Sequence, residues 1–77
     1  MSKSRANTRT IKLTDGREVS FSYREPVAAF LPGRGYVKRG RHFSATSSRH
    51  ATEYAGRFAA VLPDAEFLQA IAPVTAD

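Results

Sequence analysis

Residues 9–24, RTIKLTDGREVSFSYR, hold two short runs in which apolar and polar residues alternate on either side of an Asp-Gly pair. Alternation with a period of two is typical of a half-buried strand, and Asp-Gly favours a tight turn. The stretch therefore predicts a β-hairpin whose apolar side chains are Ile11, Leu13, Val19, Phe21 and Tyr23.

The register of this hairpin follows from the need to place its apolar residues on one face. A two-residue loop would put apolar side chains on both faces, whereas a three-residue loop at 14–16 pairs Ile11 with Val19. The longer loop also gives Gly16 the left-handed position of a bulged turn, where glycine is favoured. We therefore expect the odd-numbered positions, up to and including Tyr23, to be buried.

A second hairpin is predicted at residues 26–43. The run VAAFL at 27–31 is apolar throughout, PGRG at 32–35 has the composition of a turn, and YVKR at 36–39 returns as a strand. Pro26 cannot donate to a strand ladder, so it begins or edges the strand. Together the two hairpins predict an antiparallel sheet of four strands.

From Ser44 onward the apolar spacing changes to that of helices. We predict a first helix from about Ser47 to about Ala60, with N-cap candidates in residues 44–48, and a second helix at 64–71. The predicted fold class is thus α+β, with both short helices packed on one face of the sheet. The helical residues expected to face the odd positions of the first hairpin are Tyr54, Phe58, Phe67, Leu68 and Ile71.

The domain boundaries follow from the same patterns. Residues 9–73 are predicted to form a single domain, preceded by a flexible basic arm at 1–8 and followed by a flexible tail at 74–77. No run approaches the roughly 18 apolar residues of a membrane helix, and no leader pattern is seen at the N-terminus. The absence of cysteine fits a reducing compartment, so we expect a cytoplasmic protein with no membrane association.

The charge is unevenly distributed. Residues 1–50 carry eleven basic and three acidic residues, a net of +8, whereas residues 51–77 have a net charge of −3. Nine of the twelve basic residues are arginine, whose planar fork suits phosphate and carboxylate groups. This pattern favours a polyanionic partner, although charge that serves only solubility is the simpler interpretation.

Basic and hydroxyl residues are concentrated just before and within the start of the first predicted helix. A helix N-terminus offers free N–H groups and a positive dipole end, which together bind anions. We predict an anion- or partner-binding corner here, against the alternative of a well-capped helix with a solvated face. Its residues are Tyr36, Lys38, Arg39, Arg41, Ser47, Ser48, Arg49 and His50.

Signatures of catalysis are scarce. The PGRG turn precedes no helix and so is not a phosphate loop, and His50 with Glu53 at i+3 would need ligands from other helices to hold a metal. We expect no enzyme activity, no catalytic residues, no metal and no cofactor. His50 itself is better interpreted as a capping or packing residue.

The middle of the chain resembles small uncharacterised proteins of bacteriophages and related mobile elements. The resemblance lies in PVAA at 26–29, Gly-Tyr at 35–36, FSATSSRH at 43–50 and Tyr54, under half of the chain. The positions at which this sequence departs from the pattern are Ser47, Thr52 and Ala55. The resemblance implies a phage or prophage origin and a small α+β fold, and it carries over no activity and no catalytic residue.

Three functional hypotheses follow. The first is a phage accessory protein that binds a host protein or nucleoprotein complex in the host cytoplasm, in the manner of an anti-CRISPR protein or by redirecting host machinery. The alternative is a stand-alone DNA- or RNA-binding module, whose phosphate contacts would come from Lys3, Arg5, Arg9, Arg39, Arg41 and Arg49. A third is a homodimer formed through an exposed edge strand.

Overall fold

The computed structural model describes residues 8–74, and in them five strands and two helices follow one another along the chain. Their bounds are β1 Thr8–Lys12, β2 Glu18–Ser22, β3 Glu25–Leu31, β4 Gly35–Gly40, α1 Ala45–Ala55, β5 Ala60–Pro63 and α2 Asp64–Ile71. The strands form one sheet in the order β1-β2-β3-β4-β5. The α+β class is confirmed, with a mixed sheet of five described strands in place of the predicted four.

The first hairpin has the predicted register. Ile11 pairs with Val19, and the turn closes through hydrogen bonds between Leu13 and Arg17 and from Gly16 N–H to the Leu13 carbonyl. Gly16 adopts φ 96°, a left-handed conformation that an L side chain rarely takes. Side-chain parity and turn chemistry therefore agree here, as the alternation of the sequence predicted.

β3 and β4 form the second predicted hairpin, and β2–β3 also pair in antiparallel fashion. A β-bulge next to Ser20 shifts the register, since Ser20 lies opposite Ala28 whereas Phe21 lies opposite Pro26. Val27 is the extra residue of the bulge. Its side chain and that of Ala28 are both buried in one apolar cluster, which includes Ala51 of α1.

The strand β5 was not predicted, because we expected the first helix to run to Ala60. α1 instead ends before Gly56, and the chain returns to pair β5 in parallel with β4, Val37 opposite Ala60. Gly40 permits this approach, since a Cβ at that position would clash with the carbonyl oxygen of Leu62. The pairing requires a glycine at that position, which the sequence alone does not link to a distant strand.

The two helices pack on opposite faces of the sheet, so the prediction that both share one face is wrong. Val19 and Phe21 belong to the cluster that contains Phe67 and Ile71 of α2. Glu18 and Ser22, which alternate with them along β2, are hydrogen-bonded to Tyr54 and Ser47 of α1. Successive residues of a strand point to opposite faces. Coverage on both sides explains why residues 26–29 of β3 are buried without alternation.

Several predicted core positions change with this arrangement. Phe67, Leu68 and Ile71 pack as expected on the face of Val19 and Phe21, but Tyr54 lies on the other face with Ala51. The expectation that Phe58 is buried is wrong, because its side chain is 93% exposed in the loop before β5. Tyr23 is also exposed, since β2 ends at Ser22 and Tyr23 turns away with φ 59°.

The predicted arm and tail lie almost entirely outside the described residues. Thr8 begins β1, and Val74 packs partly buried against the larger cluster. Neither described helix has the length and apolar character needed to cross a membrane.

Candidate functional site

The residues of the predicted anion-binding corner are divided between the two faces of the sheet. Arg39 lies on the α2 face with its side chain only 5% exposed, and its guanidinium donates to the carboxylate of Asp64 and to the Pro26 carbonyl. Asp64 begins α2, where a carboxylate is favoured by the helix dipole. The buried guanidinium of Arg39 is therefore committed to partners within the fold and not to an external anion.

Ser47 and His50 point inward from α1 toward the sheet. Hydrogen bonds join Ser22 Oγ to His50 Nδ1 at 2.7 Å and to Ser47 Oγ at 3.0 Å. Ser22 is fully buried, so its hydroxyl requires such partners. The packing interpretation of His50 is the one that these contacts favour.

The pair of Ser22 and His50 has the spacing of a nucleophile and its base, a feature that no local sequence pattern predicts. In the described part of the chain, however, no carboxylate is hydrogen-bonded to His50, and the Ser22 side chain is closed to solvent. The cluster also anchors the start of α1, whose N-cap is Ser44. We therefore interpret the cluster as structural.

The remaining corner residues lie on the α1 side. Lys38 is half-buried on β4, Ser48 and Arg49 are exposed on α1, and Arg41 follows β4. Arg41 lies 3.4 Å from Glu25, with both side chains nearly half exposed. Such a solvated pair contributes at most about 1 kcal/mol, so Arg41 can exchange its partner.

Two clefts flank residues 41–43. The larger, about 340 Å³, lies between the β2–β3 turn and the start of α1, and Glu25 lines it. The smaller, about 170 Å³, is a groove between α1 and the β4–β5 edge, hereafter the basic groove. The residues lining the basic groove are Lys38, Arg39, Arg41, Phe43, Ser48, Ala51, Thr52 and Val61.

Comparison with known proteins places the chain in a family. The model of DUF8033, a family of unknown function, matches residues 1–68. This chain belongs to DUF8033. Neither the search of curated proteins nor that of solved structures found a match.

Four arginines of this DUF8033 chain make their contacts on the α2 side of the sheet. Arg17 donates to the carbonyl oxygens of Ala70 and Ala72 at 2.8 and 2.9 Å. The other three are Arg9 over the ring of Phe21, Arg34 beside Glu66, and Arg39 beside Asp64. The lysines and arginines that make no ion pair within residues 8–74 are Arg9, Lys12, Arg24, Lys38, Arg49 and Arg57.

Metal binding has little support in these residues. Within the described range, no three His, Asp or Glu side chains converge as ligands would. The chain has no cysteine to supplement them.

Tyr36 is held in place by other aromatic rings. Its ring lies 5.0 Å from that of Phe30 and 5.4 Å from that of Tyr54, centroid to centroid. Tyr54 Oη in turn donates to Glu18 Oε1 at 3.0 Å. Burial, together with this bond and the charge of Glu18, raises the pKa of Tyr54 above its usual value of 10.0.

This shift predicts a loss of stability in alkali. Because the folded state favours the protonated phenol, the stabilisation is fully present below the unfolded pKa of about 10 and is lost as pH rises beyond it. Urea unfolding of the wild type and of Tyr54→Phe between pH 8 and 11.5 tests this. The free energies of unfolding of the two proteins should begin to converge at a pH of about 10. If the free energy of unfolding fell in parallel for the two proteins as the pH rises, the raised pKa of Tyr54 would be contradicted.

Proposed function

We propose that this protein is a non-enzymatic binding module that holds a polyanionic macromolecule against the basic groove. The observation that carries the proposal is the lining of the groove. Lys38 and Arg41 stand beside the hydroxyls of Ser48 and Thr52, and none of the lining residues in the described part of the chain is acidic.

The distribution of charge supports the basic groove over other surfaces. Arginines on the α2 side have acidic, carbonyl or aromatic partners within the fold, and the larger cleft contains the carboxylate of Glu25. Lys38 has no such partner among residues 8–74, and Arg49 extends from the exposed surface of α1 next to Ser48. Charge-assisted hydrogen bonds from such groups to phosphate or carboxylate are stronger than neutral ones.

The wider role that we propose rests on the resemblance to mobile-element proteins. In it, the module acts in the cytoplasm of a bacterial host on behalf of a phage or prophage and engages a host macromolecule, either to inhibit defence or to redirect host machinery. The basic character of the chain favours an anionic surface of that macromolecule as the contact.

The test is a pair of double variants that remove equal charge. Lys38→Ala with Arg41→Ala should weaken the binding of fluorescent heparin, a generic polyanion, by at least tenfold at low salt, since each charged contact contributes roughly 1.5–3 kcal/mol. Fluorescence anisotropy measures the affinity. Melting temperatures should hardly change, because neither side chain is buried with an essential partner.

The matched control is Lys12→Ala with Arg24→Ala, whose exposed side chains lie away from the basic groove and make no ion pair among the described residues. Arg17 is unsuitable for this purpose because it holds the end of α2. An equal loss of heparin affinity in both double variants would show that only net charge matters. No loss in the groove variant would exclude the basic groove as the contact surface.

A further inference from the structure

Two exposed aromatic side chains belong to segments near the start of β4, the strand whose Lys38 and Arg39 line the basic groove. Phe58 is 93% exposed in the loop that connects α1 to β5, and Tyr36 is 47% exposed at the start of β4. A single exposed apolar side chain needs no explanation by itself, but an aromatic ring beside cations can form part of a nucleic-acid contact surface.

The topology places these aromatics in line with the cations. Tyr36 and Lys38 are two residues apart on β4 and so share a face. β5 begins opposite Val37, so the loop with Phe58 enters the sheet beside Tyr36. Arg57 adds a guanidinium 5.8 Å from the centre of the Phe58 ring.

Tyr36, Lys38 and Arg41 follow one another along β4 and its end, so that an aromatic side chain is succeeded by two basic ones. From Tyr36 to Gly40, where β4 ends, the backbone advances about 13 Å at roughly 3.3 Å per residue, with Lys38 between them and Arg41 directly after. Tyr36 is already fixed by the rings of Phe30 and Tyr54, so its orientation need not be ordered on binding. A row of side chains of this length suits an extended anionic chain better than an isolated ion.

We propose that the partner of the basic groove is a single-stranded nucleic acid, with phosphates at Lys38 and Arg41 and a base stacked on Phe58. This inference rests on the function proposed above. Single strands expose both phosphates and base faces, and stacking on aromatic side chains beside cations is how sequence-tolerant binding is achieved. Duplex DNA keeps its base faces stacked, and an acidic protein surface offers no planar ring to match Phe58.

The experiment compares single variants on three labelled probes: an oligothymidine of about twelve nucleotides, a duplex of equal length and polyglutamate. The wild type should bind the single strand most tightly. Phe58→Ala should weaken that binding by about 5- to 150-fold, the range measured for one stacked base, and leave duplex and heparin affinities unchanged. Phe58→Tyr should retain most of the affinity, because it keeps the ring.

The salt dependence separates the two kinds of contact. Lys38→Ala should reduce the slope of log affinity against log salt by about 0.7 on the single strand, the value for one lost phosphate contact. Phe58→Ala should leave the slope unchanged, because stacking releases no counterions. The exposure of Phe58 means that this variant folds normally, which its melting temperature will verify.

The outcomes distinguish the two proposals. Equal affinity for duplex and single strand, with no effect of Phe58→Ala, would overturn the single-strand inference while the heparin result still supports a polyanion-binding groove. Tighter binding of polyglutamate than of either nucleic acid would overturn it in favour of an acidic protein partner. A wild type that binds no polyanion at low salt would overturn both.

Discussion

Replacement of Phe67 by alanine is expected to unfold the protein. The side chain is 0% exposed on α2 and packs in the cluster that includes Val19, Phe21 and Ile71. Truncation of a buried phenylalanine costs about 3–5 kcal/mol, the loss of transfer free energy plus a cavity. A single core in a chain of this length supplies about the same amount. Circular dichroism with urea titration should show little cooperative unfolding in the variant at 25 °C.

Phe58→Ala is the matched control for this loss. The same atoms are removed, but from a side chain that is 93% exposed, so the free energy of unfolding should change by no more than about 0.5 kcal/mol. The helical spacing of the sequence places Phe58 in the core together with Phe67 and therefore predicts similar losses for the two substitutions. Equal destabilisation by the two substitutions would contradict the two-faced packing described here.

Asp64→Ala is expected to have the second largest effect. The substitution removes the carboxylate that pairs with Arg39, whose side chain is 5% exposed. The remaining polar partners of Arg39 are the Pro26 carbonyl at 3.1 Å and Glu25 at 4.0 Å. Removing one partner of a buried pair costs about 3–5 kcal/mol, because a charge is left without compensation. Glu25 offsets part of that cost, so we expect about 3 kcal/mol in equilibrium urea unfolding.

Replacement of the other partner, Arg39, should reduce the free energy of unfolding by less. Arg39→Met fills the same space with an apolar chain and leaves Asp64, 45% exposed, solvated at the start of α2. Arg34→Ala, which disrupts an exposed pair with Glu66, serves as the control and should cost at most about 1 kcal/mol. If Arg39→Met proved more destabilising than Asp64→Ala, the asymmetry in burial would not govern this pair.

The structure gives different roles to two arginines that the sequence assigns to one anion-binding corner. Arg39 and Arg41 are two residues apart on or beside one strand, and the sequence assigns both to an anion site. Both line the basic groove, but the structure pairs the buried guanidinium of Arg39 with Asp64 of α2 and leaves Arg41 exposed. Charge and spacing along a strand could not separate them, because the partner of Arg39 is supplied by a helix that begins 25 residues later.

The parts of the fold that the sequence determined are those set by neighbours in the chain. The register of the first hairpin follows from Asp15-Gly16 and the alternation around it, and α2 spans residues 64–71 as its spacing predicts. In both, local turn chemistry, side-chain parity and helical period point to the same arrangement. The long-range contacts of these two segments are consistent with the conformations that their local sequences favour.

Tertiary structure alone decided where the chain goes after α1. The apolar spacing of Phe58 and Leu62 continues the helical pattern, yet the helix ends before Gly56 and Leu62 enters a parallel strand. That outcome depends on the close approach of β5 to Gly40 and on the burial of Leu62 against the α2 cluster. Contacts between residues more than twenty positions apart leave no local pattern in the sequence. Because β5 lies between the two helices in the chain, α2 packs on the face of the sheet opposite α1 and supplies the partner of Arg39. Phe58 remains exposed in the loop before β5.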